Sequence, residues 1–113
     1  MSNPTKVLFT LPQTNTDGTA LAVSDVTGVK LNVLNSAGEV GFSTVVGTAS
    51  LGLDAAGNRS IPLPQLPSGN YSVVLYTESV SAGQAVESAG SAPVAFVIAN
   101  PSIPNPPSGV SVA

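Results

Sequence analysis

The chain contains no cysteine, no histidine and no tryptophan. Without cysteine there is no disulfide, no thiol nucleophile and no thiolate metal site. Without histidine the commonest general base and metal ligand is missing, and a Ser–His–Asp triad cannot be assembled within one chain. Charge is nearly absent as well: 8% of residues are ionised, against roughly 25% in a typical soluble domain. The nine are Lys6, Lys30, Arg59, Asp17, Asp25, Asp54, Glu39, Glu78 and Glu87. They form no basic stripe, which argues against a nucleic-acid partner. A net charge of −3 spread this thinly gives weak electrostatic steering. No stretch approaches the roughly 20 apolar residues of a membrane span, so no membrane partner is expected. Met1–Lys6 lacks the basic and apolar regions of a secretory signal. If Met1 is the native start, the expectation is synthesis in the cytoplasm without export by the general route.

What is present favours strands. The 113 residues are 42% hydrophobic, with only three Phe and two Tyr, so the core must come from Val, Leu, Ile and Ala. Branched residues separated by Gly, Pro, Ser, Thr and Asn suit β structure and turns. Lys6–Pro12 reads as a strand with Val7, Phe9 and Leu11 on one face and Leu8 on the other, stopped at Pro12. Gln13–Val23 is a polar loop. Val26–Leu34 alternates as a half-buried strand does, with Val29, Leu31 and Val33 on one side and Lys30 and Asn32 on the other. Asn35–Gly38 and Asp54–Asn58 read as turns, Val40–Ala49 and Arg59–Leu63 as further strands. Leu66-Pro-Ser-Gly-Asn-Tyr71 turns the chain into a strand running to about Glu78, with Tyr71, Val73 and Leu75 on one face. Val80–Ser91 is small and polar and reads as an exposed loop. Pro93–Ala99 is a last strand before four prolines in Asn100–Pro107, an extended, stiff segment. Val110 and Val112 then alternate with small residues. Short strands at regular spacing indicate an antiparallel sandwich. The expected division is a domain over residues 1–100 and a tail over 101–113.

Candidates for chemistry are few. Asp17 and Asp25 flank one loop, but Asp17 precedes a turn glycine and Asp25 leads into a strand. Asp54 with Asn58 supplies too few oxygens for calcium. No Lys-Ser/Thr follows the scattered glycines, so there is no phosphate loop. No catalytic residue, metal or cofactor is expected. Tyr71 suits a structural hydroxyl bond to backbone. Tyr76, on the opposite face, is the better candidate for an exposed contact, together with Leu8.

The stretch VLFTLPQTNTDGTALAVSDVTGVKLNV resembles the early strands of bacterial fibronectin type III domains, with Pro12, Asn15–Gly18, Asp25 and Gly28 in matching places. LPSGNYSVVLYTES resembles the tyrosine-corner region through Leu66, Gly69 and Tyr71, and SAPVAFVIANP resembles the last strand. The resemblance covers residues 6–100. It implies an all-β, Ig-like antiparallel β-sandwich of about seven strands with a proline-rich C-terminal tail. Two departures stand out: Leu11 takes the place of the family's usual tryptophan, and Lys6–Leu11 matches the second strand, leaving Met1–Thr5 too short for a first.

PPSGVSV, at Pro106–Val112, is similar to the proline-led first strand of such domains. Three readings stay open for it: a disordered tail or lead-in to a further domain, a segment folded back on its own sandwich, or one that crosses to a neighbouring subunit and lies along an exposed strand edge. The expected partner-binding residues are therefore Leu8, Tyr76, Pro106, Pro107, Val110 and Val112. The resemblance, joined to an unexported start, suggests a non-enzymatic structural protein of a phage virion. Capsid decoration comes first and a tail-associated role second, with capsid or other virion proteins, or copies of itself, as partners. Weak adhesion to cells or glycans through loops is a secondary role. The alternative is a carbohydrate-binding or spacer module of a larger extracellular protein, weakened by the absence of tryptophan.

Overall fold

A computed structural model describes residues 3–99 and 105–112. Eight strands follow in order: β1 (Lys6–Phe9), β2 (Val26–Leu34), β3 (Val40–Gly47), β4 (Gly52–Leu53), β5 (Arg59–Pro62), β6 (Gly69–Ser81), β7 (Gln84–Glu87) and β8 (Val94–Ile98). Two single 3-10 turns, Val23–Asp25 and Thr48–Ser50, are the helical pieces among the described residues. A three-stranded antiparallel sheet has the order β1-β5-β4. A five-stranded one has the order β3-β2-β6-β7, with β8 also paired to β6. The all-β arrangement in two antiparallel sheets is compatible with a β-sandwich.

Alternation along β2 builds the core. Val29, Leu31 and Val33 are buried, and they pack with Val73 of β6 and with Leu51 and Ile61 from the smaller sheet's side. Cross-strand partners repeat the pattern: Leu31 lies opposite Leu75 and Val33 opposite Val73. Val7, Phe9, Leu11, Phe42, Tyr71 and Phe96 cover this cluster from the margins, half-buried. The inward face expected for Val7, Phe9 and Leu11 is present, although β1 itself stops at Phe9.

One turn chemistry recurs. Gly18, Gly38 and Gly57 have φ between 80° and 86°, and each N–H donates to the carbonyl three residues back. Left-handed backbone is cheap only for glycine, which fixes the turn there. Asn35 and Asp54 accept backbone N–H bonds within their own turns through Oδ1, as Asx turns do. Asp17 instead accepts from the Thr19 N–H and hydroxyl. At the Tyr71 corner the phenol donates to the Pro67 carbonyl at 2.7 Å, and the ring stacks on Phe96.

The segment Val80–Ser91 corrects the sequence reading of a loop. It carries the end of β6 and all of β7, joined by a tight hairpin at Ala82-Gly83. Both turn residues have positive φ, 50° at Ala82 and 77° at Gly83, the pattern of a type I′ hairpin. β6 is also longer than expected, and the two-residue β4 carries no readable signal of its own. Beyond β7 the ladder is taken over by serines. The Thr77 N–H donates to Ser88 Oγ and the Leu75 N–H to Ser91 Oγ, so the chain steps outward before β8 resumes pairing. Asn100–Pro104 lies outside the described residues. Pro106 and Pro107 are exposed and in no strand.

Leu31→Ala should cost about 2–5 kcal/mol in urea unfolding, whereas Leu8→Ala should stay within about 0.5 kcal/mol. Ala82→Asn should stabilise by about 0.5–1 kcal/mol, because asparagine tolerates the left-handed conformation that alanine resists. The same unfolding curves check both.

Candidate functional site

β1 is the outermost strand of the smaller sheet, and its only partner among the described residues is β5. Thr5 accepts the Leu63 N–H at 2.9 Å, and Val7 and Phe9 lie opposite Ile61 and Arg59. In an antiparallel ladder alternate residues turn their backbone groups the same way. Thr5, Val7 and Phe9 therefore address β5, while Lys6 and Leu8 point their N–H and C=O groups at the open edge.

Behind that edge runs a groove of about 370 Å³ between the two sheets. Its apolar lining includes Val7, Phe9, Leu63, Val73, Val94 and Phe96. Val94 is 62% exposed although it stands opposite the buried Val73. The two sheets therefore gape on this side. One end is fixed by Asn3, whose side chain both accepts from the Ala99 N–H and donates to its carbonyl. β8 thus finishes beside the start of β1.

The outer face of the larger sheet is the second candidate surface. Lys30, Tyr76 and Val45 form one cross-strand row. The Lys30 ammonium sits 4.4 Å above the Tyr76 ring and 3.0 Å from Glu87. Gly90, in the serine-bridged segment, presses on Val74 and the same ring, where a Cβ would come within 2.8 Å of the valine. Tyr76 is thus half-buried between a cation and a backbone. Glu78 faces Glu87 across the hairpin. A hydrogen bond between them, then burial and the neighbouring charge, raises the Glu78 carboxyl above its ordinary range. The same bond, and then Lys30, lowers Glu87.

The expected contact residues do not converge. Leu8 is exposed at the open edge, Tyr76 lies on the far face of the other sheet, and Pro106, Pro107, Val110 and Val112 are exposed in the tail. Asp17 and Asp54 are engaged in their own turns, and hydrogen bonds from Thr19 and Asn58 respectively hold both carboxyls below the usual range. No group of three or more metal-ligating side chains occurs among the described residues. The groove escaped sequence reading.

The carboxylate pair has a defined pH signature. Stability from the raised Glu78 is present below its unfolded pKa and is lost as pH rises through the folded value. Stability from the lowered Glu87 is present above its unfolded pKa and is lost as pH falls through the folded value. Glu78→Gln keeps the donor and removes the repulsion. It should raise the melting temperature at neutral pH, and the gain should vanish as pH falls through the Glu78 titration. Melting curves of both proteins between about pH 4 and pH 8 check this.

Comparison of the chain with protein-family models, curated proteins and solved structures finds no match.

Proposed function

We propose that this chain is an Ig-like β-sandwich of fibronectin type III character that serves as a non-enzymatic structural protein of a phage virion, decorating the capsid lattice. The observation that carries the reading is a surface made for dry contact with protein. Val45 and Val97, on the outer face of the larger sheet, are 60% and 59% exposed. Beside Val45, the Lys30 ammonium is paired with Glu87. Packing such a face against a neighbour strips few ions of water, so the desolvation cost is low. The Tyr71–Pro67 hydrogen bond supports the Ig-like reading, since it is the bond of a tyrosine corner.

Particles purified from a lysate of cells carrying the gene should contain the chain in fixed proportion to the major shell protein, and immunogold should label the head. Label confined to the tail would move the protein there, and absence from particles would overturn the reading. Val45→Glu and Val97→Glu should each lower the copies retained per particle at least about tenfold, because each places a charge in the contact. Their melting temperatures should barely change, since both positions are exposed.

A further inference from the structure

We infer that the open edge of β1 is completed by the C-terminal segment Val110–Val112 of a second copy of this chain, added as an antiparallel strand that closes the groove. The inference does not rest on the virion reading. Three observations meet here. The outward backbone groups of Lys6 and Leu8 face no strand among the described residues. An apolar groove lies behind them. The segment that alternates correctly to fill it is undocked on its own body, with Val110 80% and Val112 100% exposed.

The register follows from the ladder. Leu8 addresses the open edge, so it exchanges N–H and C=O bonds with Ser111. Val110 then stands opposite Phe9 and Val112 opposite Val7, and both valines turn into the groove. Val-Ser-Val supplies the apolar–polar–apolar period that a strand needs when one face is buried. Pro106 and Pro107 cannot donate to a ladder, which ends pairing near Thr10, where β1 has itself ended.

A second copy is favoured over the chain's own tail by direction. The Asn3 bonds hold Ala99 beside the start of β1. A tail entering the groove from there would run parallel to β1. To pair antiparallel it would first have to traverse the groove and then reverse, which the proline-rich stretch opposes. A segment from another copy enters directly from the Thr10 end. Such exchange is head-to-tail, and closes as a mutual dimer or ring or continues as an open chain.

The test is sedimentation velocity on the full chain from about 1 µM to about 1 mM, the range of a weak to moderate association. Self-association is expected, and V110D/V112D should weaken it at least about 100-fold, because it places two carboxylates in an apolar groove. Leu8→Pro removes the N–H offered at the open edge and leaves the β5 ladder intact, so it too should be monomeric. Mixing the two variants should restore 1:1 complexes, since one keeps a sound edge and the other a sound tail. Amide exchange at Leu8 gives a second readout should the proline variant misfold. The Leu8 amide should be protected in the assembled wild type and unprotected in V110D/V112D. A wild type monomeric throughout, V110D/V112D assembling like wild type, two folded variants that fail to complement, or Leu8 protection in a monomer (the chain's own tail) would each overturn the inference.

Discussion

Everything in this molecule hangs on the inward row of β2. Val29, Leu31 and Val33 are the residues through which the larger sheet meets Ile61 and Leu51. With no tryptophan and few large rings, no single side chain can span the gap between sheets. The core is instead a set of small branched groups whose fit depends on register. A one-residue slip of β2 would turn Lys30 and Asn32 inward, where neither has a partner. The pairing of β2 with β6 over nearly its whole length, and with β3 on its other side, prevents that slip.

The same register decides what the outside shows. Fixing Leu31 inward fixes Lys30 outward, opposite Tyr76, and so assembles the Lys30–Glu87–Glu78 cluster on one face. A third of the chain's ionised residues are gathered there, with Lys30 paired to Glu87. The remaining outer face is served by valines, serines and glycines. Low charge on the surface and a small-residue core are therefore two consequences of one composition.

Much of this was legible in the sequence. β2 was readable over Val26–Leu34 because strict alternation admits only one strand face, and the turns at Asn35–Gly38 and Asp54–Asn58 because Asx side chains and glycine have distinctive chemistry. Tyr71 was readable from the Pro67–Gly69 turn ahead of it. The β6–β7 hairpin was not, since an alanine holds a left-handed turn position that sequence rules reserve for asparagine or glycine, and the flanking residues are small and polar. Ser88 and Ser91 look like loop residues and instead continue the ladder through their hydroxyls. Tyr76 read as an exposed aromatic because nothing in the sequence places Gly90 against its ring. The groove could not be read at all, because it is made by the placement of β1 relative to β8, elements separated by most of the chain.

The two long sides of the molecule are not equivalent, and the difference explains why one of them invites a partner. β3 also ends a sheet, and Val40–Gly47 contains no charge to discourage pairing. Behind β3, however, Phe42 and Val46 already pack on the core. A strand added there would gain hydrogen bonds and little burial, and a hydrogen bond exchanged for one with water contributes only about 0.5–1.5 kcal/mol. At β1 the same hydrogen bonds come with apolar surface on both sides of an unfilled groove, and each buried valine adds about 1.5 kcal/mol or more. β1 is also guarded against indiscriminate pairing: it is four residues long, begins at Lys6 and is bracketed by Pro4 and Pro12. Such an edge has room for a short strand with apolar residues at alternate positions and gives a long, flat one little to hold, so selectivity follows from length and pattern where charge is too scarce to provide it.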